Sequence, residues 1–237
     1  QRHPAGLVVK EANSPKFVIL GYEQYQQMTQ PKTVKQHLAV PKKILVTGGA
    51  GYIGSHTARF LIERGFLVTT LDNLSTGRRE FAQGTFIEGD LGDEQLLEKI
   101  FSEEKFDAVM HFAASIEVEE SVNNPLKYYQ NNVINALWLL EAAIRHGVRA
   151  FVFSSSCTVY AEGVTVPIDE TAPTQPTSPY GETKLIFENI LQWFAPAYGL
   201  SSVSLRYFNA AGASLDGALG LANPASTLLI PNALNVA

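Results

Sequence analysis

Cysteine is nearly absent: Cys157 is the only one in 237 residues. One thiol excludes an internal disulfide framework and cannot supply a cysteine zinc cluster. The five histidines, His3, His37, His56, His111 and His146, are scattered, so no metal site is expected. Long apolar runs are missing too; none approaches the roughly 20 residues a membrane span requires. The opening stretch QRHPAGLVVKEANSPK has no uninterrupted apolar core followed by a small-residue cleavage site, so it does not read as a secretory signal. Positive charge is not in excess. A formal net charge of −5 gives no general attraction to nucleic acid or to an anionic membrane. These absences point to a cytoplasmic protein with neither nucleic acid nor membrane as partner. No internal repeat or low-complexity tract is present.

From Lys43 onward, short aliphatic runs alternate with longer helix-like segments. The runs are 43–47, 67–71, 85–88, 107–111, 149–154 and 202–206, and the segments between them are 52–64, 93–103, 125–146 and 180–198. Leu137, Leu140, Ala143 and Ile144 recur at helical spacing, as do Leu185, Ile186, Ile190 and Leu191. Near-continuous aliphatic runs suit strands buried on both faces, and the alternation implies a parallel sheet covered by helices. The expected fold is therefore α/β, a doubly wound parallel sheet. Residues 1–40 precede this pattern as an extension and linker. After Asn209 the chain turns rich in Gly, Ala, Ser and Pro, and TLLIPNALNVA at its end reads as the opening of a further helix.

The stretch ILVTGGAGYIGSH (44–56) carries Gly48, Gly51 and Gly54 between an expected strand and an expected helix. Gly48 permits the tight turn out of the strand, Gly51 lets backbone approach a pyrophosphate, and Gly54 lets the helix pack closely on the sheet. A helix starting near Tyr52 aims its free N–H groups and dipole at the phosphates. The next strand, LVTTLDN, places Asp72 at its tip, about 20 residues on, where an acid binds the adenosine ribose hydroxyls. A carboxylate there repels a 2′-phosphate, which favours NAD over NADP, although Arg78 and Arg79 lie close by. Asp90, in EGDLGD, has two readings. It contacts the adenine, the favoured one, or it caps the helix starting near Glu94, for which Asp93 is better placed.

YGETK puts Tyr180 and Lys184 four residues apart on one face of a helix. A tyrosine that serves as a base near neutrality must lose its proton far below its ordinary pKa of about 10. An adjacent ammonium and a positive nicotinamide ring would each favour the phenolate. Lysine also has donors to hold the nicotinamide ribose. FVFSSSCTVY (151–160) places three serines after an aliphatic run, at the sheet edge where ligands bind. Ser156 is the one expected to bond the reacting oxygen; capping or turning the chain is the alternative role for the other two. His111, in VMHFAA, reads as a packed residue closing its strand.

TGGAGYIGSH, LDNLSTG, GDLGD, HFAA, ESVNNPLKYYQNNV, FSSSCTVY, SPYGETK and RYFNAAGA, in this order, closely resemble the UDP-glucose 4-epimerases of the extended short-chain dehydrogenase family. The likeness runs from about residue 42 to 237. It implies a Rossmann domain over 41–206 and the start of a small, incomplete substrate-binding domain over 207–237. It implies a bound, unreleased NAD that exchanges a hydride with the sugar C4, so that UDP-glucose and UDP-galactose interconvert through a 4-keto intermediate. In that scheme Tyr180 takes the proton of the 4-hydroxyl, Lys184 lowers the tyrosine pKa, and Ser156 binds the 4-oxygen. Around the cofactor the resemblance places Gly48, Gly51, Tyr52, Ile53, Gly54, Asp72, Asn73, Asp90, Leu91, Phe112, Ala113, Ala114, Asn131, Ser154, Tyr180, Lys184 and Tyr207. Toward the UDP-sugar it places Ser156, Tyr180, Phe208 and Asn209. A homodimer through 93–103 and 125–146 is implied as well.

SSSCT departs from the Thr-Asp-Glu triplet of related dehydratases, and with it goes the acid–base pair that elimination of water needs. Ala161 stands where the family has glycine. Family members continue beyond residue 237 into much of the UDP-sugar pocket, so the chain as given is expected to bind NAD but turn over UDP-sugar poorly or not at all. An NAD-dependent sugar-nucleotide decarboxylase or reductase, and a noncatalytic NAD-binding regulatory module, remain as alternatives. Separately, SPKFVILGYEQYQQMTQ (14–30), a strand-like run followed by an acidic-aromatic helical start, weakly resembles a segment of prevent-host-death antitoxins.

Overall fold

The computed structural model describes residues 2–3, 6–11, 14–19 and 43–221, in two compact units divided after Val40. The first unit contains β1 (Arg2–His3), β2 (Gly6–Glu11) and β3 (Ser14–Ile19) in one antiparallel sheet of that order. Leu7 stands opposite Arg2 on one side and Ile19 on the other, and the register shifts at Val9/Lys10. Pro15, which has no N–H to donate, falls near the start of β3, a position sheets tolerate. The strand-like run at 14–19 is thus a strand. The helical start and linker expected over 21–40, and the helix opening at 227–237, lie outside the described residues.

The second unit is built on β4 (Lys43–Thr47), β5 (Leu67–Asp72), β6 (Thr85–Glu88), β7 (Ala108–His111), β8 (Ala150–Ser156) and β9 (Ser201–Tyr207). All pair in parallel, in the order β6-β5-β4-β7-β8-β9. The order reverses beside β4, as the doubly wound expectation requires. Successive strand residues point to opposite faces, and the two cores sort accordingly. Leu45, Leu71, Val109, Phe151 and Phe153 face α2 (Glu94–Glu103), α5 (Ala136–Arg145) and α6 (Pro179–Tyr198), burying Leu97, Phe101, Leu139, Leu140, Phe187 and Leu191. Ile44, Val46 and Val68 face α1 (Tyr52–Glu63), whose Ala58 and Leu61 pack on them. Each fully buried Leu or Phe adds roughly 1.5–3 kcal/mol against exposure.

Capping explains where the helices start. Asp93 accepts the Leu96 N–H at 2.9 Å to begin α2, and Ser178 accepts the Gly181 N–H at 3.1 Å to begin α6. Gly199, at φ 66°, ends α6 in the left-handed conformation that favours glycine. One helix departs from expectation. The segment 125–146 is not continuous; it runs as α4 (Pro125–Tyr129), a wide π-turn over Gln130–Asn135, and α5. Within that turn Asn132 is buried and bonds both the N–H and the C=O of Ser115, at 2.8 and 2.9 Å. Such wide turns often mark functional sites. A short helix α3 (Val118–Asn123) precedes it, unforeseen in the hydrophobic pattern.

Candidate active site at the carboxyl edge of the sheet

The glycine loop follows β4 directly. Gly48 has φ 69°, and a Cβ there would lie 2.6 Å from the backbone nitrogen of Ala113. A Cβ on Gly54 would lie 2.1 Å from the carbonyl oxygen of Gly48, so the first turn of α1 rests on the loop itself. Gly51 differs, because its Cβ would meet only the Gly48 carbonyl, at 3.2 Å. The chain's own packing barely requires that glycine, as expected where the backbone must admit a ligand. The first turn of α1 has no side-chain cap and no acidic residue, unlike α2 and α6. Its N–H groups and positive dipole end are free for an anion. Gly49, which the sequence pattern did not single out, is also demanded: a Cβ there would lie 2.5 Å from the Thr70 side chain.

Asp72 ends β5 and is buried, with one carboxylate oxygen accepting the Ala50 N–H at 3.0 Å and the other the Leu74 N–H at 2.8 Å. Each oxygen keeps a lone pair for a ribose hydroxyl. Asn73 donates to Asp90 at 2.6 Å, and Asp90 also accepts the Gly92 N–H at 2.7 Å. Asp93, not Asp90, caps α2, which removes the alternative role for Asp90. Arg79 is engaged with Glu88 at 2.6 Å. These features fit a dinucleotide: a glycine cradle, an uncapped helix start and a fixed carboxylate at the tip of the second strand.

Other expected cofactor residues cluster here with differing exposure. Phe112, Ala113 and Ala114 follow β7, with Ala113 packed on the loop beneath Gly48. Leu91 is buried in the core. Tyr52 and Ile53 open α1 and are half-buried, and the Tyr52 hydroxyl donates to the Gly212 carbonyl at 2.7 Å. Asn131 bonds Ser115 and Asn132. Tyr207 lies opposite Ser156 in the sheet register, and Phe208 packs near Tyr160 with ring centroids 6.5 Å apart. Asn209 follows on the surface.

Tyr180, Lys184 and Ser156 converge at the tip of β8. The Ser156 hydroxyl lies close enough to the Tyr180 phenol to favour its phenolate. Lys184 is buried; its ammonium donates to the Ser154 carbonyl at 2.8 Å and lies 5.8 Å from the Tyr180 ring centroid. Ser155 instead donates to Glu188 at 2.5 Å, and Glu188 grips Arg206 at 2.7 Å. That half-buried pair was missed from sequence, although Glu188 follows Lys184 by one helical turn. Asn132 also reaches Thr183 at 3.3 Å, and Ser121 accepts the Tyr180 N–H at 3.2 Å, so the wide turn and α3 both anchor the start of α6. His111 is the packed residue expected, bonded to Thr47 at 2.8 Å and stacked on Phe153. Burial, and then the neighbouring Lys184, push its pKa down to about 3.

The electrostatics correct one expectation. The chain's own groups do not depress the Tyr180 pKa; burial raises it above its ordinary value, and the nearby Ser156 hydroxyl only partly offsets this. Burial also pushes Lys184 down to about 7, so neither charged form is favoured by the protein alone. The phenolate therefore needs positive charge from a bound group. Lys184 also implies a pH dependence of stability. Between pH 7 and its unfolded value near 10.5 the unfolded chain binds more protons than the folded one, so stability rises with pH across that window. Thermal unfolding between pH 7 and 10 should show the midpoint climbing by at least about 2–4 °C, the equivalent of roughly 1 kcal/mol, and Lys184→Met should flatten the climb. Equal slopes in both proteins would overturn this account.

Comparison with known proteins gives a consistent picture. The model of the NAD dependent epimerase/dehydratase family matches residues 44–235. A UDP-glucose 4-epimerase of Halalkalibacterium halodurans is 51% identical over 195 residues, covering 82% of this chain and 58% of that protein. Among solved structures, UDP-glucose 4-epimerase from Brucella ovis in complex with NAD is 46% identical with a TM-score of 0.79, covering 81% of this chain and 60% of that one. UDP-glucose 4-epimerase from Thermotoga maritima with UDP-glucose is 41% identical with a TM-score of 0.73, covering 79% and 60%. The chain thus spans about three-fifths of the length of these relatives.

Proposed function

The chain belongs to the NAD dependent epimerase/dehydratase family, and on that premise we propose that it binds NAD and carries the catalytic half of a site for interconverting UDP-glucose and UDP-galactose through a 4-keto sugar. The observation that carries this reading is the meeting of Tyr180, Ser156 and Lys184 at the tip of β8, on the same sheet edge as the glycine loop. Residues 41–206 form the dinucleotide-binding domain, and the segment from 207 begins the substrate side. When bound, NAD takes up and returns the hydride of the sugar C4. The first turn of α1 and Gly51 hold the diphosphate, and Asp72 accepts the adenosine ribose hydroxyls. Lys184 anchors the nicotinamide ribose and, when charged, favours the Tyr180 phenolate. Tyr180 removes the proton from the 4-hydroxyl, Ser156 holds the same oxygen, and the proton returns from Tyr180 once the keto sugar has turned over. Phe208 and Asn209 line the sugar side.

A cytoplasmic location and a homodimer belong to the same proposal. The dimer would use the helices within 93–103 and 125–146, where Leu126 and Ile134 are exposed. Among the described residues no helix is long and apolar enough to cross a membrane.

The direct test is to denature purified protein, identify the released nucleotide, and then add UDP-galactose to the intact protein while following cofactor reduction. Bound NAD and sugar-dependent NADH formation support the reading; no nucleotide and no NADH overturn it. Asp72→Asn keeps the shape and removes the charge. Hydrogen bonds to charged groups contribute about 1.5–3 kcal/mol, so NADH affinity should fall by roughly 10- to 100-fold. The preference over NADPH should narrow at the same time, which parallel fluorescence titrations would read. An unchanged NADH affinity would remove Asp72 from the site.

A further inference from the structure

The segment 208–221 leaves β9 at the active-site end of the sheet and is fastened to α1 at two points. The Tyr52 hydroxyl donates to the Gly212 carbonyl at 2.7 Å. Farther along, Arg59 donates through both terminal nitrogens to Asp216, at 3.1 and 2.7 Å. Tyr52 and Arg59 are seven residues apart, two turns on one face of the helix, so the segment runs down the side of α1. Its far end is a preformed clasp. Asp216 also accepts the Ser214 hydroxyl at 2.6 Å and the Ala218 N–H at 3.1 Å. Ser214 and Leu219 close the turn with a backbone bond of 2.8 Å, and Leu219 is buried. The Arg59 bond holds the Asp216 carboxyl well below the usual carboxylate range.

The near end carries Phe208 and Asn209. Three strand spacings separate β9 from β4, whose loop leads into α1; that is a span of roughly 14 Å. The five residues from 208 to 212 reach about 17 Å at full extension. The Tyr52 side chain supplies further reach, so the run spans from the Tyr180 side of the sheet edge to the start of α1.

We propose that Arg59 and Asp216 are positioning residues that latch segment 208–221 onto α1 and so set how slowly a dinucleotide leaves the crevice. This rests on the reading that the crevice holds NAD. Residues expected to contact cofactor or substrate supply the two ends of the span, Tyr52 at one and Phe208 with Asn209 at the other. The latch pair itself touches neither ligand, and it acts by keeping the span in place.

The test uses the full chain loaded with NADH and follows loss of fluorescence after excess NAD is added. Arg59→Glu and Asp216→Lys are each expected to speed release by about three- to five-fold, the scale of an exposed but bidentate ion pair. The doubly reversed protein should return to within about two-fold of the parent. Asp216→Asn should show a smaller effect in the same direction, and should serve if a reversal compromises folding. The differences should shrink at ~1 M salt, where screening acts over about 3 Å. Lys43→Glu, which breaks a pair with Glu104 at the opposite edge of the sheet, should leave the rate unchanged. A parent protein that binds no NADH overturns both the dinucleotide reading and the latch. Normal NADH binding with release unchanged in the reversed variants overturns the latch alone. So does a double reversal no slower than the singles.

Discussion

Tyr180→Phe should leave the fold and NADH affinity intact while slowing UDP-galactose-dependent cofactor reduction by about 10²- to 10⁴-fold, the range that loss of a positioned acid–base group produces. The substitution removes one oxygen from a ring held on α6 by a capped helix start and by the bond from its own N–H to Ser121. Neither anchor involves the phenol, so the backbone should stay in place. The hydroxyl faces Ser156, and the Lys184 ammonium lies 5.8 Å from the centroid of the same ring. The pH profile adds a second readout. Burial holds the phenol above its usual pKa in the protein alone, so reduction should accelerate with pH in the parent, and that dependence should vanish in the variant. A Tyr180→Phe protein that reduces its cofactor within about ten-fold of the parent rate would assign the proton transfer elsewhere. Ser156, already bonded to Thr158 at 3.0 Å, would be the next group to examine.

The layout of this site was readable because it is local. Aliphatic runs set the strands, glycine at every third position sets the turn, and a Tyr and Lys one helical turn apart share a face wherever a helix forms. Asp72 was placed by counting from the loop to the end of the next strand, and β5 does end there. What escaped was nonlocal. Arg59 and Asp216 are 157 positions apart, Asn132 and Thr183 are 51 apart, and nothing in either neighbourhood announces the other. The break in 125–146 escaped for a related reason, because the wide turn serves side-chain bonds from Asn131 and Asn132 to Ser115, on a different element. The proton affinity of Tyr180 was misjudged because spacing shows the ammonium beside the ring but not the burial that opposes both charges. Desolvation belongs to the packed fold, and no pair of residues encodes it alone.

Gly54→Ala sets two opposed effects against each other. In a helix interior, alanine is favoured over glycine by about 1 kcal/mol, so propensity alone forecasts a more stable protein. The added Cβ, however, would sit 2.1 Å from the Gly48 carbonyl oxygen, 2.8 Å from its carbon and 3.1 Å from the Gly49 Cα. All three neighbours are backbone, in a loop whose Gly48 is itself pressed on Ala113, so no side chain can swing away. Relief requires the start of α1 to lift by more than an ångström. Overpacking of this kind costs roughly 1–3 kcal/mol, and the steric effect should win. A misplacement of that size also moves the N–H groups meant for the diphosphate, so NADH affinity should drop by about 100-fold. Gly51→Ala is the informative partner, because its Cβ meets only one protein atom, at 3.2 Å. It should keep the parent's unfolding midpoint and still lose NADH binding, since what it blocks is the ligand's approach. Thermal unfolding and NADH titration of the two variants separate packing from recognition: Gly54→Ala should fail on both measures and Gly51→Ala on one. A Gly54→Ala protein that melts higher than the parent would mean that propensity prevails and that α1 does not rest on the loop as described.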